Sequence, residues 1–313
     1  MSDRSLLVVG SVALDTVTTP AGRAVEVLGG SASFFAAAAS IFAPPRVVAV
    51  VGDDFPIEQH LGFLRARGVD LAGLTSAPGR TFRWEGSYGE NLNEAKTLRT
   101  ELGVFAEFAP QLPEHFRSSR IVFLANIDPG LQIRVLEQVR GPELVALDTM
   151  NFWITNARTE VLRAIGRVHL VTVNDAEARA LSGEHNLVRA ARAIQRLGPR
   201  TVVVKRGEFG VLLFHEERVF AAPAFPLEEI RDPTGAGDSF AGGMMGYLAR
   251  SGDLGLGGLR RSIVVGCVLG SFAVEDFSLE RTRTLRLDEV TRRYELYRDL
   301  VGAGALREKL LED

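Results

Sequence analysis

Six short runs of apolar, mostly β-branched residues recur along this chain, and none alternates with polar residues: Leu6–Gly10, Arg46–Val51, Ile121–Leu124, Leu144–Leu147, Leu170–Val173 and Thr201–Val204. A strand with one wet face alternates, whereas a strand covered on both faces does not. Helical patterns lie between most of them, at Ser31–Phe42, Phe55–Arg67, Leu131–Val139, Arg158–Ile165 and Leu187–Leu197. Strands alternating with helices predict an α/β fold with a parallel sheet and helices on both faces. Ligands of such sheets sit beyond the carboxyl ends of the strands. The polar residues that follow the strands are therefore the candidates: Asp15, Asp53, Asn126, Asp148, Asn151, Asn174 and Lys205. There is no internal repeat and no low-complexity linker, so residues 1–313 are expected to form one main domain.

Two segments break the alternation. Residues 16–28 and 81–105 contain no helical pattern and are expected to pair as short antiparallel strands. In Thr81–Tyr88 one face would carry Phe82, Trp84 and Tyr88, the other Thr81, Arg83, Glu85 and Ser87. A small sheet outside the core can close over a substrate or pair with a second subunit.

Bulk properties remove several classes of function. A chain of 313 residues buries a large core. A net charge of −3 points to neither nucleic acid nor an anionic membrane surface. The single cysteine, Cys267, excludes an intramolecular disulfide and fits a reducing compartment. The N-terminal apolar run is too short for a signal peptide, and Ile263–Val274 is too short to span a bilayer, so a cytoplasmic protein is expected. The histidines lack ligand spacing for zinc, and no P-loop pattern occurs.

The stretch from Arg231 to Tyr247 carries the chemistry. Gly235, Ala236 and Gly237 leave the first N–H groups of a helix uncovered, and with the helix dipole they form an anion site. Asp238 adds a carboxylate able to take a proton from an attacking hydroxyl, as phosphoryl transfer to an alcohol requires. The competing reading is an ordinary helix start whose Asp complements the dipole.

The run Asp232-Pro-Thr-Gly-Ala-Gly-Asp238 resembles the signature of the ribokinase-like (PfkB) carbohydrate kinase family. That resemblance implies a three-layer sandwich with a mainly parallel central sheet and a small β lid, which in several members also makes dimer contacts. It implies ATP and Mg²⁺, a small hydroxyl-bearing acceptor, Asp238 as base, and the backbone of Gly235, Ala236 and Gly237 as anion hole. Asp15 matches the position that accepts hydrogen bonds from acceptor hydroxyls, and Gly29-Gly30 matches the first signature, where the backbone approaches the acceptor. Asn174-x-x-Glu177 resembles the element that holds Mg²⁺ through water; the same residues also read as a helix N-cap. Lys205, Gly207 and Gly210 fall at the nucleotide-binding turn, with Val268 on a helix flanking the adenine. Asp232 lies where the family often holds a monovalent cation such as potassium.

One position departs from the pattern. Many sugar-specific members have an Asn four residues after the second glycine, where this chain has Phe34. Either an aromatic contact to a nucleoside base or cyclitol replaces a sugar contact, or Phe34 is core. Asn151 is a further acceptor-site candidate. The acceptor is expected to be a sugar, a polyol or cyclitol, or a nucleoside. The alternatives are a sugar-phosphate kinase using Arg83, Lys96 and Arg99 of the lid, and a binding protein that has lost the chemistry.

Overall fold

The computed structural model describes residues 5–302; residues 1–4 and 303–313, which include the chain start considered above, lie outside the described residues. In chain order the strands are β1 (Leu6–Val9), β2 (Ala13–Thr19), β3 (Gly22–Gly29), β4 (Arg46–Gly52), β5 (Asp70–Ala77), β6 (Arg83–Tyr88), β7 (Ala95–Glu101), β8 (Ile121–Leu124), β9 (Leu144–Asp148), β10 (Leu170–Asn174), β11 (Thr201–Lys205), β12 (Val211–His215) and β13 (Arg218–Ala222).

Nine of these form one sheet in the order β13-β12-β11-β10-β9-β8-β1-β4-β5. Strands β5 through β11 of that order are parallel, while β12 and β13 run antiparallel at one edge. Side chains alternate across the sheet with period two, and the burial follows. Leu6 and Val8 join the core beneath helices Ser31–Ala39, Ala236–Ser251 and Leu256–Ala273. Leu7 and Val9 join the core beneath Pro129–Leu136, Arg158–Ile165, Asp175–Ser182 and Leu187–Gln195. Two cores on one sheet make three layers, as the unbroken apolar runs require.

Three strands of the sheet lack a sequence signal of that kind. Strands β5 and β13 are edge strands with exposed or half-exposed positions, and β12 is reached by a tight hairpin rather than a helix. Helix Leu256–Ala273 is apolar and long enough by length and composition to cross a membrane, but 67% of it is buried, chiefly against Ala236–Ser251.

The lid is a four-stranded sheet in the order β3-β2-β6-β7. Each hairpin is antiparallel as expected, but the two hairpins join through a parallel pair, β2 with β6. The lid also begins at Ala13, ahead of the expected boundary, so Asp15 sits within it. Asp54 ties the lid base to the loop after β4. Its Oδ1 accepts from Thr81 N at 2.8 Å and Thr81 Oγ1 at 2.6 Å, and its Oδ2 pairs with Arg83 at 2.8 Å.

Candidate active site

The signature forms the start of helix Ala236–Ser251, with Gly235 at the N-cap in a left-handed conformation, φ 74°. Two requirements fix glycine here. The backbone angle favours it, and the place of a Cβ is already filled by the ring of Phe34. Phe34 is only 2% exposed, so it packs as the floor beneath the anion site; of the two readings of this residue, the core one describes its position. No side chain caps the helix. The first helical bond in this turn runs from Ser239 N to Gly235 O at 2.8 Å, so the N–H groups of Gly237 and Asp238 precede the ladder.

Two strand ends, and the first turn of the helix that follows a third, bring charged groups to this helix start. Lys205, at the end of β11, donates from Nζ to Asp148 Oδ2 at 2.8 Å, and Asp148 closes β9. Lys205 Nζ also lies 3.2 Å from where a Cβ on Gly237 would be, beside the anion site. Burial works against the ammonium, but Asp148, Glu177 and Asp238 outweigh it and hold the Lys205 pKa above its ordinary value. Asn174 and Glu177 form a complete capping box on helix Asp175–Ser182: Glu177 N donates to Asn174 Oδ1 at 2.8 Å and Asn174 N to Glu177 Oε2 at 2.7 Å. The box fixes a buried carboxyl near Lys205. Burial raises the Glu177 pKa to about 7, with Lys205 opposing and Asp148 reinforcing the rise.

Asp238 is raised furthest, to about 8. Burial is the main cause, the carboxylates of Asp148 and Asp15 add to it, and Lys205 opposes it. Asp15 is raised to about 7, by burial first and Asp232 second, while the Gly30 N–H bond lowers it. Its carboxylate fills the space where Gly29 would carry a Cβ, and Gly30 sits at φ 91°. Asp232 is fully buried; Oδ1 accepts from Thr234 N at 2.9 Å and Oδ2 from Ser278 N at 3.1 Å. The lid reaches the same loop, with Thr234 Oγ1 donating to Tyr88 Oη at 3.2 Å.

A cavity of about 560 Å³ opens beside the anion site, lined among others by Lys205, Gly207, Gly210 and Gly237. Helix Leu256–Ala273 turns Gly266, Cys267, Gly270 and Ser271 to it. Val268, expected in this lining, is fully buried on the core side, because each helical residue rotates the face by about 100°. The lid tip enters the cavity too. Asn93 Nδ2 donates to Glu208 Oε1 at 3.0 Å, and Asn93 Oδ1 accepts from Glu208 N at 3.3 Å.

Asp238, Asp15, Gly235–Gly237, Lys205, Asn174 and Glu177 thus converge at one end of the sheet. Asn151 is exposed at the start of helix Asn151–Asn156. Asp148, Tyr88 and Asn93 received no role from the sequence. Asp148 had a signal, as the last residue of a buried strand; the other two depend on how the lid folds over. The Oδ1 of Asn126, after β8, is buried without a hydrogen-bond partner. Among the described residues there is no cluster of three or more His, Cys, Asp or Glu side chains that could hold a metal ion.

The range of chemistry open to such a site is narrow. A half-buried carboxylate beside an uncapped helix start is the pairing that phosphoryl transfer to an alcohol needs, a group able to take a proton next to donors able to take up phosphoryl charge. The chain belongs to the pfkB family of carbohydrate kinases, whose model matches residues 3–282. It is 33% identical over 256 residues to a cytidine kinase of Thermococcus kodakarensis, covering 78% of this chain and 88% of that one. It is 26% identical over 292 residues to a nucleoside kinase of Methanothermobacter thermautotrophicus, covering 88% and 90%. Among solved structures, the nucleoside kinase of Methanocaldococcus jannaschii, an archaeal member of the ribokinase family, superposes with a TM-score of 0.75 at 20% identity, covering 94% and 98%. The fold is therefore ribokinase-like, and the enzyme is a phosphotransferase of the sugar and nucleoside kinase class that uses ATP.

Proposed function

We propose that this kinase phosphorylates a hydroxyl of a small unphosphorylated acceptor, with a nucleoside as the leading candidate, and that Asp238 is the base. The observation that carries the proposal is a half-buried carboxyl next to an uncapped helix start, its pKa lifted to about 8 by desolvation and neighbouring carboxylates. A base with a pKa near the working pH combines availability with proton affinity. Asp15 accepts hydrogen bonds from acceptor hydroxyls, with the Gly29-Gly30 backbone as the wall that brings the acceptor close. The N–H groups of the Gly235–Gly237 helix start, of which that of Ala236 is already donated to Pro233 O at 3.2 Å, and the ammonium of Lys205 stabilise charge on the transferring phosphoryl group. The adenine side of ATP occupies the cavity beyond Gly207 and Gly210.

Asn174 and Glu177 fit a hydrated Mg²⁺. Their oxygens are hard donors, and a buried carboxyl with a pKa near 7 would be held ionised by a nearby cation. When bound there, the ion would supply positive charge to the phosphate oxygens. Asp232 is assigned to ordering the signature loop next to a monovalent cation; both of its oxygens already accept backbone N–H groups, so carbonyls would supply the ligands.

Two further observations bear on the acceptor. The names of the two relatives support a nucleoside. The lid cations give little support to a sugar phosphate: Arg83 is paired with Glu26 at 2.7 Å and Asp54 at 2.8 Å, and Arg99 with Glu101. Lys96 lies opposite Ser87, on the face away from Asp15. ATP consumption by the purified protein across nucleosides, free sugars, cyclitols and sugar phosphates tests the proposal. Turnover with nucleosides that is lost in Asp238→Asn is the expected result; turnover confined to sugar phosphates, or full activity in Asp238→Asn, overturns it.

A further inference from the structure

Trp84 occupies a place in the lid that neither the anion site nor the donor cavity explains. In the parallel pair of β2 and β6 it lies directly opposite Asp15, and partners across such a pair point to the same face. That face also carries Val17 opposite Gly86 and, one step on, Tyr88, whose hydroxyl meets Thr234 of the signature. It is therefore the side that covers the acceptor region. The indole packs against Gly86: its six-membered ring fills the space a Cβ there would need. Trp84 Nε1 donates to Thr97 Oγ1 at 3.2 Å, which fixes the ring's orientation from the neighbouring strand β7. The side chain is only partly buried. A large aromatic ring, fixed by a hydrogen bond on one edge and by a bare glycine beneath, is left partly exposed next to the hydroxyl-binding carboxylate.

We infer that Trp84 is the acceptor's ring-binding surface, and that the acceptor carries a planar heterocycle that stacks on the indole while Asp15 holds its sugar hydroxyls. Aromatic stacking is tolerant of ring identity but strongly favours a base over bare sugar. The role that an aromatic Phe34 suggested in sequence thus falls to a different residue, since Phe34 is sealed beneath Gly235. This inference rests on the kinase reading above and deepens it from hydroxyl acceptor to glycosylated base.

The test compares wild-type, Trp84→Ala and Trp84→Phe on nucleosides and on free ribose, with ATP consumption as the readout. For nucleosides, Trp84→Ala is expected to raise KM at least about tenfold with a smaller change in kcat, the cost of roughly one stacking contact. Trp84→Phe should recover most of that loss, and any activity on ribose should be unchanged in both variants. In parallel, Trp153→Phe leaves Trp84 as the one tryptophan of the two in the chain, and nucleoside without ATP should change its fluorescence saturably. Equal losses on nucleosides and ribose, no loss in Trp84→Ala, or no fluorescence change would overturn the inference while leaving the kinase reading intact. Wild-type protein inactive on every acceptor would overturn the kinase reading, and this inference with it.

Discussion

The ammonium of Lys205 and the carboxylate of Asp148 form a 2.8 Å ion pair at the ends of two adjacent-but-one strands, and the helix start that carries Asp238 lies against it. Lys205 is 18% exposed and Asp148 5%, so the pair is shielded from solvent, and each partner depends on the other. Asp148 orients the ammonium toward the anion site; Lys205 in turn offsets the negative charge that three neighbouring carboxyls would otherwise concentrate there. Replacing Lys205 with Met is expected to lower kcat about 100-fold, the scale for losing one donor to a developing oxyanion. The same change should lower the melting temperature, because Asp148 is left buried and unpaired. Asp148→Asn should lower kcat less and spare the fold. Steady-state kinetics and thermal melts check both.

The raised carboxyls give the protein a definite pH profile. Asp238, at about 8, and Asp15 and Glu177, at about 7, all lie above the carboxylic acid's ordinary value near 4. A carboxyl whose pKa is raised on folding binds protons more tightly in the native state than in the unfolded one. Its contribution to stability is full below pH about 4 and is lost as pH rises through about 7 to 8. Ligand-free protein should therefore become less stable to denaturant between pH 5 and pH 8.5. Asp238→Asn removes the largest of these burdens, so its stability advantage over wild type should grow with pH across that window. Denaturation midpoints at several pH values measure it; an advantage independent of pH would contradict the assignment.

Activity should run the opposite way. As the proposed base, Asp238 would have to be ionised to take a proton, so kcat/KM should rise with pH through an apparent pKa at or below about 8. Bound Mg²⁺ and ATP shift that value within the ternary complex, so kcat should titrate at a different pH from kcat/KM. Initial rates across pH 6 to 9.5 give both profiles.

Phe34 and Gly235 are coupled through space, the ring of Phe34 forming the floor directly beneath Gly235. Gly235→Ala places a methyl into the Phe34 ring and onto a left-handed backbone angle, costing about 1–2 kcal/mol for the angle and about 1–3 kcal/mol for the overlap. Adding Phe34→Leu should return the overlap cost but leave the backbone cost, so the double variant melts between Gly235→Ala and wild type. A double-mutant cycle of melting free energies tests the coupling, and additivity within about 0.5 kcal/mol would show that the two residues do not meet.

Sequence revealed most where a single local requirement decides the residue. Unbroken apolar runs demand burial on both faces, so the central sheet from β1 to β11 was legible apart from its edge strand β5, whose Asp70, Thr75 and Ser76 face partly outward. The glycines before Asp238 and the Asn174–Glu177 spacing were legible for the same reason. What depends on two distant segments meeting was not. Phe34 could not be assigned until Gly235 was seen above it, nor Lys205 until Asp148 was seen beside it. The turn of Val268 into the core, away from the cavity, was missed because an apolar helix, buried on nearly all sides, carries no periodicity by which to phase it. The parallel pairing of β2 with β6 was missed because each hairpin alone predicts only its own antiparallel partner.

The lid's contact with the donor side yields the last expectation. Asn93 spans from the lid tip to the turn after β11, giving and receiving a hydrogen bond with Glu208, while its Oδ1 occupies the space beside Gly207. In the proposed arrangement the acceptor binds under the same lid, so its binding would order the turn after β11 as well. Two exposed hydrogen bonds contribute about 0.5–1.5 kcal/mol each, enough for a few-fold to tenfold coupling between the two ligands. Asn93→Ala should therefore raise the Kd for ATP measured with acceptor present by roughly three- to tenfold, and change it little with acceptor absent. By reciprocity, ATP should lose the same factor in its effect on acceptor Kd. Calorimetric titrations in both orders make the comparison, and a variant that weakens ATP equally with and without acceptor would show that Asn93 serves the nucleotide turn alone.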